Sequence, residues 1–327
     1  MKKVFISKNY PDKYTASSKA KLDAEQILSK NGYTNIGLSA KCIQNRLLGR
    51  IYTVLSNVKG YLSMPKNGVL FLQYPTNLCE KQIARAHEKG CKVIILIHDL
   101  NCLRDVSLDT VEPLKMADLV IAHTASMKKW LLDNNINKNI EVLKIFDYLD
   151  STLSKEPDKD GYKIAFAGNL GKSDFLSQLK GNDLVSFRLF GIGIENQSLN
   201  EGLEYCGCFS PDKLAVNLKS HFGLVWDGES IDECSGITGK YLRYISPHKL
   251  SMYLSAGLPV IVWKESAMSE FVKNNNIGIA VESLKDINTL LSNLSEEDYK
   301  RMKDNAENIG QKLANGEYLS DILKNFH

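Results

Sequence analysis

The sequence predicts an α/β protein of two Rossmann-like domains facing a cleft. Its 327 residues exceed one ordinary core and suit two α/β domains of roughly 150 residues each. Short β-branched runs alternate with longer amphipathic segments, the pattern of parallel sheets covered by helices. Near the middle this alternation is broken by the polar, turn-rich stretch "FDYLDSTLSKEPDKDGY" at 146–162, with Pro157 and Gly161 as breakers. The expected division is therefore 1–150 for an N-terminal, acceptor-side domain and 160–312 for a C-terminal, nucleotide-side domain. Residues 313–327 are expected to form a C-terminal helix that crosses back to the first domain.

In the first half the strand candidates are Lys3 to Ser7, Val69 to Gln73, Lys92 to His98, Leu119 to Ala122 and Ile140 to Lys144. Helical periodicity covers Ser17 to Ser29 and Leu78 to Lys89. Three of these strands end on polar groups, in "FISKNY", "FLQYP" and "LIHDLN". Parallel sheets bind ligands beyond the carboxyl ends of their strands, so those ends are expected to face a cleft. In the second half, strands are expected in "YKIAFAGNLGKSD" and at Phe187 to Phe190, Phe222 to Trp226, Pro259 to Trp263 and Gly278 to Val281. Glu296 to Phe326 reads as largely helical.

Composition excludes several function classes. Forty-one basic and 38 acidic residues leave a formal charge of +3, too small an excess to argue for nucleic acid. The start "MKKVFISKNYPDKY" lacks the apolar core of a signal peptide, and the run Val93 to Ile97 is far too short to cross a bilayer. A cytoplasmic protein is expected, with peripheral contact at the inner face of a membrane left open. Seven cysteines without a disulfide-like framework read as reduced thiols. Cys206 and Cys208 have no partner pair at zinc-ligand spacing and read as strand cysteines, with a metal site as the remote alternative.

The segment "YISPHKLSMYLSAGLPVIV", ending at Val262, combines a helix start, a cation and a buried strand. Ser246 suits an N-cap and Pro247 the first helical position, and the N–H groups of the next turn would form an anion site beside His248. Lys249 lies in that turn, where the helix dipole disfavours a cation unless an anion sits between them. Gly257 and Pro259 close the helix before the next strand. Taken alone, the segment equally fits an ordinary helix carrying a solvated lysine.

A second anion candidate is "FAGNLGKS", where Gly168, Asn169, Gly171 and Lys172 follow a strand and would let backbone N–H groups approach a phosphate. The spacing is not that of a P-loop, and a plain β-to-α turn explains it as well. Between "FGLVW" and the helix runs the 18-residue loop "DGESIDECSGITGKYLRY", long enough to be functional. It offers Asp227, Glu229, Asp232 and Glu233 to sugar hydroxyls, with Lys240, Arg243 and Tyr244 approaching the helix; the other reading is a mobile surface loop. In the first half, Asp99 after His98 in "LIHDLNCLR" could take a proton from a hydroxyl. Equally, Asp99 could cap the next helix or pair with Arg104, and His98 could be a core histidine. Asp12, Gln73, Tyr74 and His123 are further cleft candidates.

These segments resemble a known group. "SPHKLSMYLSAGLPVIV" is similar to the donor-site helix of GT-B glycosyltransferases, and "FGLVWDGESIDECSGITGKYLRYISPHK" narrows the resemblance to bacterial β-1,6-galactofuranosyltransferases of O-antigen and capsule synthesis. "LIHDLNCLR", "KIFDYL", "FAGNL" and "NIGIAVESLKD" extend it over most of the chain. A more distant resemblance joins the accessory glucosyltransferases that extend GlcNAc on serine-rich adhesins. The resemblance implies a UDP-sugar donor, a glycan or glycolipid acceptor, no cofactor or metal, inversion at the anomeric carbon, and a homo-oligomer. It assigns Lys249 and Lys172 to the diphosphate, and sets Phe209 in "CFSPDK" where relatives place a tyrosine against uracil. Many GT-B enzymes carry a ribose-binding Glu three residues after the helix lysine, whereas this chain has Met252.

The function expected is transfer of galactofuranose from UDP-galactofuranose to a glucosyl acceptor, with Asp99 as base and His98 beside it. Gly168, Asn169, Lys172, Phe209, Asp227, Tyr244, Ser246, His248 and Lys249 would hold the donor. The alternatives are a UDP-glucose-dependent glucosyltransferase acting on an adhesin glycoprotein and a non-catalytic UDP-binding partner subunit. A periplasmic sugar-binding protein, also two-lobed, is disfavoured by the N-terminal residues.

Overall fold

The computed structural model describes residues 1–11, 16–104, 111–137, 139–155, 157, 160–194 and 198–326. The candidate Asp12 lies outside them. Two compact units are present: Met1–Asp147 together with Gly316–His327, and Tyr148–Asn315.

The first unit runs β1 (Lys3–Phe5), α1 (Ala16–Lys30), β2 (Tyr33–Asn35), α2 (Arg46–Leu62), β3 (Val69–Tyr74), α3 (Cys79–Glu88), β4 (Lys92–Ile97), α4 (Glu112–Met116), β5 (Leu119–Ala122), α5 (Ala125–Asp133) and β6 (Ile140–Val142). Its sheet is parallel in the order β2-β1-β3-β4-β5-β6. Every residue of β3 is buried, because helices cover both faces of a parallel sheet. The order reverses direction between β1 and β3, which defines a topological switch point.

In the second unit the elements are β7 (Tyr162–Asn169), β8 (Val185–Ile192), β9 (Leu203–Gly207), α6 (Pro211–Leu218), β10 (Phe222–Val225), α7 (Gly236–Tyr241), α8 (His248–Ser255), β11 (Val260–Trp263), α9 (Ser269–Asn274), β12 (Gly278–Val281), α10 (Ile287–Ser292) and α11 (Glu296–Asn315). Its order, β12-β11-β10-β7-β8-β9, is again parallel and switches between β7 and β10. Phe166, Phe175, Phe222, Trp226 and Trp263 form the centre of its core. Cys206 lies in β9 and Cys208 just after it, and all seven cysteines are free.

The C-terminal helical stretch is two helices, α11 and α12 (Glu317–Asn325), because Gly316 sits between them in the left-handed region at φ 74°. α12 rests on α1, where Asn31 Nδ2 donates to Ser320 Oγ at 2.9 Å. Buried Asp147 caps it, accepting from Tyr318 N at 3.1 Å and Leu319 N at 2.8 Å.

Burial raises the Asp147 carboxyl to about 7, against the pull of those two N–H groups. The folded protein therefore holds this proton more tightly than the unfolded chain. The associated stability is complete below about pH 4 and is lost as pH rises through 7. An Asp147→Asn variant keeps an acceptor for α12 and removes the charge. Its melting temperature relative to wild type is expected to be higher at pH 8 than at pH 5, checked by calorimetry at both. A constant difference would remove Asp147 as the source.

Candidate donor site

The second unit gathers its polar groups at the β7/β10 switch point. β7 ends at Gly168 and Asn169, both exposed, and the chain turns through Leu170–Lys172. Gly191 and Gly193, at the end of β8, lie against that turn with φ of 143° and 109°. A Cβ on Gly191 would stand 1.8 Å from Gly168 O, and one on Gly193 2.5 Å from Gly171 N. Gly168, Gly171, Gly191 and Gly193 thus bring two backbone segments together at a shelf to which none of the four contributes a side chain.

Lys249 points at this shelf. A Cβ on Gly168 would lie 3.8 Å from its Nζ, which donates to Trp226 O at 3.2 Å and sits 4.6 Å from the centre of the Phe166 ring. Burial lowers the Lys249 ammonium, and the neighbouring Asp227 carboxylate opposes that shift. The helix carrying it is anchored by Tyr253, whose ring lies flat on Gly223 of β10 and whose hydroxyl accepts from Ala167 N at 2.7 Å. Tyr253 links α8 to both strands at the switch point, a role invisible in its own segment. A partly desolvated cation at a helix start, aimed at open backbone, is suited to a phosphate-bearing ligand.

The helix start differs by one residue from expectation. Pro247 is the cap, with extended ψ of 135°, and its carbonyl accepts from Leu250 N at 2.9 Å; Ser246 precedes the cap instead of forming it. Ser246 Oγ is buried and meets no hydrogen-bond partner among the described residues. His248 packs its ring 5.2 Å from Tyr148. Gly257, at φ 75°, ends the helix. Met252 is buried inside α8.

The preceding loop divides. Asp227 stays near Lys249, with its Oδ1 accepting from Gly228 N at 2.9 Å, and Glu229 lies against Gly236. Asp232, one of the carboxylates offered to a sugar, pairs with Lys285 at 2.6 Å, and Glu233 is exposed. Arg243, expected near the helix, pairs with Glu265 over the Trp263 ring; cation–π contact with that buried indole draws it to β11. Lys240 is exposed on α7, a helix that the loop's sequence did not announce, and Tyr244 is half-buried. Lys172 is exposed on the turn after β7. Phe209, half-buried, stands over Gly207 with its ring 6.3 Å from Phe190, the residue before Gly191.

In the first unit the polar strand ends meet at the β1/β3 switch point. Lys8 Nζ donates to Thr76 Oγ1 at 2.9 Å, Ser7 Oγ donates to Glu25 Oε2 at 2.7 Å, and Tyr10 hydroxyl donates to Glu25 Oε1. Burial lowers the Lys8 ammonium to about 7 and raises the Glu25 carboxyl. A cavity of about 610 Å³ opens here, lined by Lys8, Asn9, Tyr74, Thr76, Asn77 and Glu80 among others. Sequence reasoning found "FISKNY" and "FLQYP" but missed Glu25, which arrives from α1.

One strand over, Asp99 pairs with Arg104 at 3.0 Å, one of the two structural roles open to it, and accepts from the adjacent Leu100 N at 3.0 Å, ahead of the short turn Asn101–Arg104. His98 stacks on Phe146 and donates from Nε2 to Gln73 Oε1 at 2.7 Å; Gln73 Nε2 donates to Lys21 O, which orients the amide. His123 is a core residue, bonded to Ile97 O at 2.9 Å and lowered by burial to about 4.

Family models described as glucosyltransferase 3-like, N-terminal and C-terminal domains, match residues 3–145 and 164–326. A β-1,6-galactofuranosyltransferase of Escherichia coli K12, WbbI, is 33% identical over 94% of this chain and 93% of its own length. The chain belongs to the glucosyltransferase 3-like family. It is a glycosyltransferase. Glucosyltransferase 3 of Streptococcus gordonii is 25% identical over 85% of the chain and 87% of its own length. The fold is GT-B. Sucrose-phosphate synthase from Thermosynechococcus elongatus superposes with a TM-score of 0.64 at 11% identity, covering 99% of this chain and 98% of that one. Anabaena HepE, solved with UDP-glucose, does so at 0.62 and 10%, with the same coverage.

Proposed function

We propose that this family member transfers galactofuranose from UDP-galactofuranose to a glucosyl acceptor in the synthesis of a bacterial surface polysaccharide, on the cytoplasmic side. The observation that carries the reading is Lys249, aimed at the open backbone of Gly168 at the β7/β10 switch point. The likeness to a galactofuranosyltransferase across both halves of the chain supports the choice of sugar. In this reading the second unit takes the donor. The diphosphate lies against Gly168 and Asn169, with Lys249 and Lys172 neutralising it, Asp227, Tyr244, Ser246 and His248 around it, and uracil on Phe209. The first unit takes a glycan or glycolipid acceptor.

The acceptor oxygen forms a bond to the anomeric carbon from the face opposite UDP, the carbon–phosphate oxygen bond breaks, and UDP leaves with the electron pair. Asp99 receives the acceptor proton, held in orientation by Arg104, while His98 supports the strand end beside it. Charge on UDP is stabilised by the first turn of α8 and the two lysines, without a metal ion.

Incubating the protein with an octyl α-glucoside and either UDP-galactofuranose or UDP-glucose tests the donor. Transfer from the first, with a galactofuranosyl product by NMR, is expected, together with thermal stabilisation by that donor. Transfer only from UDP-glucose to a GlcNAc-bearing acceptor would replace this reading with the one favoured by the Streptococcus gordonii relative. UDP binding without transfer from any sugar would make the chain a silent partner subunit.

A further inference from the structure

α2 is built inside out. Its buried residues are Gly49, Ser56, Asn57 and Gly60, small or polar. Ser56 Oγ donates to Ser7 O at 2.5 Å, Gln82 Nε2 donates to Asn57 Oδ1 at 3.0 Å, and a Cβ on Gly60 would stand 2.6 Å from Ile6 Cδ1. That face seats the helix closely on the chain leaving β1. The apolar residues take the other side: Leu47, Leu48, Ile51, Val54, Leu55 and Val58 are between 46% and 68% exposed. At 100° per residue they share an arc of about 120°. Soluble proteins rarely leave so continuous an apolar stripe uncovered.

Charge decides what covers it. The segment "RLLGRIYTVLSNVKGYL" has no acidic residue, and Arg46, Arg50 and Lys59 are all exposed, Arg50 and Lys59 on opposite edges of the stripe. Alongside, Arg85 of α3 lies 5.1 Å over the Tyr61 ring, and a groove of about 370 Å³ runs between the two helices past Val58, Leu62 and Leu78. An apolar stripe edged by cations matches a layer whose interior is hydrocarbon and whose surface is negative. A second copy apposed helix to helix would set Arg46, Arg50 and Lys59 against one another with no acid on either helix to answer them, and Glu88, which lines the groove, is already paired with Arg85 at 3.0 Å.

We propose that α2 is an interfacial helix that seats the first unit on a bilayer containing anionic lipid. The stripe enters the acyl boundary, and Arg46, Arg50 and Lys59 meet the head groups. This does not depend on the donor sugar.

The test is sedimentation of the full chain with vesicles of phosphatidylcholine alone or mixed with phosphatidylglycerol. Binding to the mixed vesicles, weakened by salt, is expected. Leu48→Glu with Leu55→Glu should lower the partition coefficient by about tenfold or more, since buried apolar area drives insertion. Arg46→Gln with Arg50→Gln should abolish the preference for phosphatidylglycerol. Circular dichroism and melting should be unchanged in both, because all four side chains are exposed. Absence of vesicle binding, or binding that neither pair changes, overturns the proposal. So does light scattering that shows a wild-type oligomer broken by the Glu pair, which would make a second copy the occupant.

Discussion

Replacing Lys249 with alanine lowers the turnover of sugar transfer by about a hundredfold or more, the scale set when one preorganised charge-stabilising group is removed. Its ammonium sits between the Trp226 carbonyl, the Phe166 ring and the Gly168 backbone, in a position that burial makes costly for a charge. On the proposed function, an anionic ligand offsets that cost, and the developing negative charge on a leaving diphosphate offsets it further. The effect should therefore fall mainly on kcat. Lys249→Arg should restore little, since a planar guanidinium fits poorly where a compact ammonium meets a ring face. Steady-state kinetics beside a melting curve checks this. A Lys249→Ala protein that melts as wild type and transfers sugar at the wild-type rate would remove Lys249 from the site.

The second large effect is on stability. Gly191→Ala puts a methyl group 1.8 Å from Gly168 O at a backbone φ of 143°, a region that side chains avoid. The methyl meets a main-chain oxygen, and both backbones are fixed by the β7–β8 ladder that pairs Gly168 with Gly191. Steric and conformational costs add, so a loss of about 3 kcal/mol or more is expected. Donor binding should fall with it, because the strand end that yields is the one facing Lys249. Urea unfolding and a UDP titration measure the two losses. Unchanged unfolding would mean that the two strand ends are not held against each other.

What sequence made legible follows from how far apart the determinants lie. The alternation of strands and helices, and the run from Pro247 through Lys249 to Gly257, are local patterns, and the structure shows the corresponding elements. The contacts that aim Lys249 are not local. Trp226 O is 23 residues away, and Tyr253 reaches Ala167 across 86. Nothing in either segment encodes such a meeting. The ion pairs of Arg243 and Asp232 are illegible for a related reason: loop charges choose partners in three dimensions, and Glu265 and Lys285 lie elsewhere in sequence. Glu25 is illegible because a carboxylate in an amphipathic helix looks solvated until the fold buries it beside Ser7 and Tyr10. β2, of three residues, is too short to show a period.

The left-handed turn at Gly316 separates gene order from structural order. Residues 316–327 follow the second unit in sequence, yet they belong with the first unit, where Asp147 caps α12 and Asn31 meets Ser320. No single cut in the coding sequence divides the two units. A fragment ending at residue 147 would expose the carboxylate and the α1 surface that α12 occupies, whereas residues 148–315 form a continuous block. Anyone dissecting this enzyme into its two units must carry the C-terminal helix across and rejoin it to the N-terminal piece by a linker.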